Sequence, residues 1–466
     1  MSHHVGAQAV VLGGSIAGLL TAHVLAEAYE HVVIVDRDET DGARDARRGV
    51  PQGRHAHGLL ARGQQVLEEL LPGFADELIG AGIPATDVGR MRWYFNGRPA
   101  RQARTGTLVF GVMRPVLEHH VRMRVRALPN VEFVEGTDIL SPVLAPESDR
   151  VIGVRVRRRT PGSVEETIEA ELVVDATGRG SRTPAWLESV GYPRVREEQV
   201  KIDLFYTSRR YRLRADPFHG DQSINPVASP AHPRGAFFHT LGGDEALLSL
   251  TGIGGDRPPT DPEGFLAYAR SLPVPDVYEA IRDAEPLDDP VAFRFPASVR
   301  RRYESLTGFP EGLLVLGDAV CSFNPVYGQG MTVASMEVLA LRRHLRQGSA
   351  PAPRAFFAEI ARIIDVPWDI AAGGDLAFPS VEGERTAKVR ISNAYLARLQ
   401  AAATRDAGIT GTFLRVAGLV EPPQALMRPA FMLRVLWKSR RPAPSPGEAS
   451  APAAPGRVPS EPLRPS

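Results

Sequence analysis

Apolar residues in this chain fall into short unbroken runs, each followed at once by glycine or aspartate. Ala9 to Leu12 is the first, and Val32 to Val35 the second, ending in Asp36. Runs of about four apolar residues bounded by turn signals predict strands covered on both faces, as in a parallel sheet. Between them lies an apolar stretch at helical spacing, so QAVVLGGSIAGLLTAHVLAEAYEHVVIVD, Gln8 to Asp36, predicts strand, turn, helix, strand. A third run, Leu313 to Leu316, leads into Gly317-Asp318, a Pro-x-x-Gly-x-Gly loop from Pro325 to Gly330, and the helical pattern MTVASMEVLALRRHL.

The pattern between these segments is plainer. A helix is expected over Ala61–Leu71, a hairpin over Met91–Pro99 around Asn96-Gly97, and an arginine-rich amphipathic helix over Arg114–Leu128. Strands are expected at Val131–Val134, Val151–Arg158 and Thr167–Asp175, forming a meander that returns to the first unit. Further strands are expected at Gly235–Thr240, Ala246–Thr251 and Val291–Pro296, with helices at Arg354–Ala372 and Ala387–Thr404. Eight prolines in Arg441–Ser466 leave too little apolar surface to fold, and that tail reads as disordered. The expected organisation is a discontinuous first domain (1–185 and 312–350), an inserted sheet domain (186–311), a helical region (351–440) and the tail (441–466). The class is α/β.

Both glycine-bearing segments suit a nucleotide. Gly13-Gly14-Ser15-Ile16-Ala17-Gly18 lets backbone N–H groups approach a pyrophosphate at a helix N-terminus, and Asp36, about 20 residues on, can meet a ribose hydroxyl. Ser15 stands where the fingerprint has its middle glycine, and serine is small enough for close approach. A signal peptide or anchor is the rival reading of this stretch, which lacks a basic start and runs into a strand. In the second segment Asp318 can accept from a sugar hydroxyl and the bare loop can admit a ring or phosphate. An ordinary strand–turn–helix joint with packing glycines is the alternative there.

Charge and cysteine usage narrow the classes. Lys+Arg number 55 and Asp+Glu 54, for a formal charge of +1, so nothing points to nucleic acid or an anionic membrane. Cys321 is the only cysteine, which precludes an intrachain disulfide and fits a cytoplasmic setting. No apolar run reaches spanning length, so no stable membrane insertion is expected. The twelve histidines form no metal-ligand spacing, and no metal is expected.

Taken together, the GGSIAG turn, GVPQGRHAHGLL (Gly49–Leu60), DATGRGSR (Asp175–Arg182) and GDAVCSFNPVYGQGM (Gly317–Met331) resemble the para-hydroxybenzoate-hydroxylase-like class of FAD-dependent monooxygenases. Within that class the chain is most similar to polyene epoxidases of polyether biosynthesis, of the monensin and lasalocid type. DVPWDIAAGGDLAF, Asp365–Phe378, is a weaker echo. The resemblance implies a Rossmann-type FAD-binding domain with an inserted mixed or antiparallel sheet for substrate, and C-terminal helices. It implies Gly13, Gly14, Ser15, Ala17 and Gly18 at the pyrophosphate, with Asp36 and Arg37 at the adenosine ribose. Arg114 occupies an R-x-x-L position whose arginine contacts FAD in this class. A solvated helix arginine, like Arg122 or Arg124, is the alternative. Asp318 is implied at the ribityl or pyrophosphate region, and Pro325, Gly328, Gly330 and Met331 at the ring. Arg48, Gln52, His55 and His57 belong to a loop expected near the flavin, or one that simply packs.

The implied chemistry belongs to the flavin. Reduced FAD captures O₂ as a C4a-hydroperoxide and delivers one oxygen to an apolar, polyketide-like secondary metabolite, as an epoxide in the favoured reading. The helix after Gly330 points its positive end toward the flavin N1 side. No residue is identified as a catalytic base, which an alkene does not need. Aromatic polyketide hydroxylation is the alternative. A flavin-dependent halogenase or prenyl reductase is another, although Trp93, Trp186, Trp368 and Trp437 lie in no W-x-W-x-I-P run. A non-catalytic flavin-binding subunit is the last. The class's Asp-Gly-x-x-Ser-x-x-Arg motif is altered: Thr177 replaces its aspartate and Pro184 its last arginine, with Asp175 and Arg182 as nearby substitutes. The electron source is therefore NAD(P)H or a partner flavin reductase. Met331 also stands where many members place asparagine. Phe237, Phe238, Phe293 and Phe295 are candidate substrate-facing aromatics, or core.

Overall fold

A computed structural model describes residues 4–40, 51–56 and 58–440, except for the side chains of Pro51 and Gln52. The expected Arg48, His57, Gln52 side chain and 441–466 tail lie outside the described residues. The fold is mixed α/β with several sheets and C-terminal helices.

Five parallel strands make the central sheet, in the order Leu313–Val315, Leu172–Asp175, Gly6–Leu12, Tyr29–Val35, Val131–Val134. Their apolar runs are unbroken because both faces are covered, and Ala9, Val10, Val11, Val173, Val174, Leu313 and Leu314 have no accessible surface. The helix Ile16–Ala26 is apolar on nearly every side for the same reason. It packs against Gly330–Leu345 and Arg114–Arg126 on one face of the sheet.

The meander differs from expectation. Its three strands are Thr137–Leu144, Val151–Arg158 and Glu165–Glu169, while Val131–Val134 and Leu172–Asp175 join the central sheet instead. Thr137–Leu144 escaped notice because Ser141 and Pro142 interrupt its alternation. The pairing register slips there, between Ile139 and Ser141.

A second, eight-stranded sheet is largely antiparallel, with Leu204–Arg212, Glu245–Gly252, Arg234–Gly242 and Ser223–Val227 at its centre. Val291–Phe295 pairs with Leu204–Arg212. The predicted hairpin Arg92–Phe95 and Arg98–Pro99 joins this sheet at the other side, turning through Asn96 and Gly97 with φ 50° and 73°. One face carries Phe238, Leu248 and Leu250, sealed by the helices Pro262–Arg270 and Asp276–Ile281. By register the opposite face carries Tyr206, Ser208, Ser249, Phe237 and Phe293. The C-terminal helices Ala407–Ala417 and Pro429–Ser439 follow the two predicted ones. No helix among the described residues is long and apolar enough to cross a membrane.

Candidate functional site

The four strand ends Val35, Leu12, Asp175 and Val315 stand in register across the parallel sheet. Everything that follows them in sequence therefore emerges on one carboxyl edge, where open α/β sheets hold their ligands. The two nucleotide-like segments, 300 residues apart, are brought together this way.

The first turn is tightly built. Gly13 has φ +99°, and a Cβ there would lie 2.8 Å from the Ala176 carbonyl oxygen. Asp36 accepts the Gly14 N–H through Oδ2 at 2.6 Å and the Asp38 N–H through Oδ1 at 2.9 Å. It thus ties the turn to the end of the second strand. Arg37 is exposed beside it.

Ser15 precedes the first helix without capping it; its hydroxyl turns sideways. It donates to Glu118 Oε2 at 2.8 Å and accepts from Arg114 Nη2 at 3.0 Å. Glu118 in turn receives Arg122 Nη2 at 3.0 Å, and Arg122 donates to the Gly14 carbonyl at 2.6 Å. Glu118 and Arg122 are 6% and 4% exposed. The expectation that Arg122 is a solvated helix arginine is corrected: it is buried and braces the glycine turn. The only hint of this in the chain is the Glu118/Arg122 spacing of four on one helix face.

At the second segment Asp318 faces Arg114 and Arg179. Burial raises its carboxyl above the ordinary range, and the two guanidinium groups oppose that rise. A Cβ on Gly330 would stand 3.4 Å from Asp318 Oδ1, placing the carboxylate beside the first turn of the helix Gly330–Leu345, where the helix dipole favours it. A Cβ on Gly317 would lie 3.2 Å from that of Ala17, so the two segments touch directly. Gly328, at φ +66°, lets the loop pass over Leu60 and Gly58. Pro325 starts a short 3-10 turn whose N-terminus Asn324 caps. Met331 points into the main hydrophobic core and is 8% exposed.

Arg114 therefore lies between Ser15 and Asp318, and its buried Nε makes no hydrogen bond, with Glu118 Oε2 4.0 Å away. A guanidinium N–H without a hydrogen bond between two glycine-lined turns suits a phosphate-bearing ligand. Behind this, Glu337 accepts the Gly317 N–H at 2.6 Å, while its Oε1 is sealed and unpartnered. Burial pushes its pKa up to about 8, opposed by the Gly317 bond and helped by Asp318. A folded pKa above the unfolded 4.5 means stability falls as pH rises between these values. Glu337→Gln should therefore melt level with the parent at pH 5 and a few degrees above it at pH 8.

Asp175 is not available as a substitute for the altered motif. Its carboxylate accepts the Thr177 N–H and hydroxyl on one oxygen and the Ser181 and Thr183 hydroxyls on the other. It staples its own loop. Arg182 is exposed and starts the next helix.

His55 is buried against the second sheet. Its Nδ1 lies 2.7 Å from Ser208 Oγ, and its ring is 5.9 Å from Tyr206 and 5.6 Å from Phe293. Desolvation, then Arg54, lowers its pKa to about 4, so the imidazole is neutral at pH 7. Of the four phenylalanines, Phe238 is core against Phe218, and Phe295 is buried under Arg179. Phe237 and Phe293 are half-buried on the inward face. His239, on that face, is desolvated to a pKa of about 4. No cluster of three or more metal-ligating side chains occurs among the described residues.

No family model matches the chain. Protein Rv3254 of Mycobacterium tuberculosis is 35% identical over 393 residues, covering 81% of each chain. Squalene monooxygenase of Mus musculus is 23% identical over 350 residues, or 73% of this chain and 54% of that protein. The chain thus spans about half the length of the mouse enzyme. Among solved structures, a flavoprotein/dehydrogenase from Cytophaga hutchinsonii superposes with a TM-score of 0.67 at 13% identity, covering 93% of this chain and 98% of that one. The flavin-dependent brominase Bmp2 gives 0.64 at 14% identity, covering 89% and 93%. PqsL of Pseudomonas aeruginosa, in complex with 2-aminobenzoylacetate, gives 0.61 at 18%, covering 87% and 99%. At these identities the structures establish the fold.

Proposed function

From a chain that belongs to the family of Mycobacterium tuberculosis Protein Rv3254, we propose an FAD-dependent monooxygenase that inserts one oxygen from O₂ into an apolar secondary-metabolite substrate, as an epoxide. The observation that carries this reading is the convergence of the Gly13–Gly18 turn, Asp36, Arg114 and Asp318 on one carboxyl edge, with an inward sheet face nearby. The similarity to squalene monooxygenase, named for an apolar alkene, supports the choice of substrate class.

In this reading Gly13, Gly14, Ser15, Ala17 and Gly18 lie under the pyrophosphate, with Arg114 Nε as its charged donor. Asp36 and Arg37 lie at the adenosine ribose, and Asp318 at the ribityl side. Pro325, Gly328 and Gly330 form the bed of the ring, with Met331 packing beneath. When bound, FAD supplies the activation of O₂. The protein's share is orientation, water exclusion and charge: Phe237 and Phe293 offer apolar contact, and the helix opening at Gly330 favours negative charge beside it. His55, neutral, and the Ser208–Ser249 pair at 2.5 Å are polar groups at that face, with His239 and the Tyr206 hydroxyl. The reductant, NAD(P)H or a partner flavin reductase, is left to experiment by the altered Thr177–Pro184 run.

The test is direct. The purified protein should be yellow and should consume O₂ with reductant when given a polyene. Asp318→Ala should bind FAD about 10- to 100-fold more weakly, the loss of a charge-assisted hydrogen bond. A colourless protein whose melting temperature FAD does not raise would overturn the reading.

A further inference from the structure

Asp375 ends the helix Pro353–Asp375 inside the protein, with 1% of its surface exposed. Its Oδ1 accepts the Asn324 Nδ2–H at 2.8 Å and the Tyr327 hydroxyl at 3.1 Å. Asn324 in turn accepts the Val326 N–H on its side chain, and its own N–H donates to Ser298 Oγ. One carboxyl oxygen therefore holds the corner Asn324–Tyr327, which leads directly into Gly328 and Gly330.

The other oxygen is in a different state. Oδ2 is sealed from solvent and has no partner, and so is the hydroxyl of Tyr206 on the strand Leu204–Arg212. Burial raises the pKa of that phenol, and the charge of Asp375 adds to the rise. The titratable groups facing Asp375 are Tyr206 from the sheet and Tyr327 from the loop, with His55 behind Tyr206. Among the described residues no cation favours its ionisation. A carboxylate with one oxygen buried and unpaired is costly. A carboxylic acid keeps both loop bonds on Oδ1 and carries its proton on Oδ2. Burial accordingly pushes this group up to about 7, against the two loop bonds, which favour the charge.

We infer that Asp375 is a positioning residue whose neutral form holds the Asn324–Tyr327 corner, and with it the glycines on which the flavin ring is proposed to lie, and whose ionisation releases them. The inference rests on the FAD reading for its consequence, but its geometry is independent of it. The folded pKa lies above the ordinary 3.8, so this group's contribution is most favourable at low pH and declines until about pH 7.

Two variants separate charge from shape. Asp375→Asn keeps an acceptor for Asn324 and Tyr327 and is neutral at every pH. In Gly374→Ala the new Cβ would fall 2.4 Å from Tyr327 Oη, driving the tyrosine away while leaving the acid in place. FAD affinity of the parent, read by flavin fluorescence, should weaken about tenfold from pH 6 to pH 8.5 in a one-proton step. Asp375→Asn should keep the pH 6 affinity throughout, and Gly374→Ala should be weaker at both. A step that survives in Asp375→Asn, or a Gly374→Ala that binds like the parent, overturns the inference. Melting of the FAD-free chain reads the same proton without cofactor: Asp375→Asn should match the parent near pH 4 and exceed it at pH 8.5. That result in a chain that does not bind FAD would sink the FAD reading and keep Asp375 as the holder of the corner. Equal melting at both pH values would overturn the holder itself.

Discussion

Gly18→Ala should leave the chain without a formed first turn. A Cβ at this position would sit 1.8 Å from the carbonyl oxygen of Gly13, which is backbone and cannot rotate away. Gly13 cannot retreat either, because its own Cβ position is 2.8 Å from the Ala176 carbonyl in the adjacent strand's loop. Relief requires moving the helix Ile16–Ala26 off the sheet, where Ile16, Leu19, Leu20 and Leu25 are at most 2% exposed. A clash of this kind belongs with the largest single-residue effects, about 4 kcal/mol or more. The expected result is aggregation on expression, or a melting temperature lower by roughly 10 °C with no retained FAD. Gly80→Ala is the matched control. No atom lies within 4 Å of its Cβ position, and its melting should stay within a degree or two of the parent. A Gly18→Ala protein that melts like the control would refute the tight crossing.

The second large effect is at Arg122. Arg122→Met removes the donor to the Gly14 carbonyl and the partner of Glu118, a carboxylate only 6% exposed. Breaking a buried pair from one side costs about 3–5 kcal/mol, because the remaining buried charge loses a neutralising cation. Arg114 replaces it only in part: its Nε is 4.0 Å from Glu118 Oε2, and its Nη2 is committed to Ser15. Thermal denaturation should show a fall of roughly 5–10 °C. Adding Glu118→Gln should recover part of it, since the amide can still accept from Ser15 without a charge. If the double variant melts no higher than Arg122→Met, the charge left on Glu118 is not the cause.

These two positions differ in how they could be seen. Gly18 was readable because a glycine at that distance from a strand end, before a helical pattern, has few other reasons to be there. Arg122 was not. Along the helix Arg114–Arg126 it looks like any other arginine, and only the meeting of that helix with the Gly13–Gly18 turn turns its side chain inward. Ser15 is similar: its substitution for glycine was visible, its hydroxyl's engagement by Arg114 and Glu118 was not. Asp175 shows the reverse error. Its nearness to the altered motif offered it as a substitute for the lost aspartate, yet four donors from its own loop occupy it.

The sequence by itself determined the strand–turn–helix units, the hairpin at Asn96-Gly97 and the two glycine-bearing segments, because periodicity and turn chemistry act between neighbours in the chain. It also determined that Asp36 and Asp318 end or follow buried strands. Which segments face one another was decided only in three dimensions. Parallel pairing set Leu12, Val35, Asp175 and Val315 in one row, and that row made two distant loops a single site. The same assembly buried Glu337 and Asp375 on either side of the loop from Gly317 to Gly330. A carboxylate's proton affinity depends on the water it has lost and the donors it has met, and both are properties of the packed molecule rather than of the residues beside it in the chain.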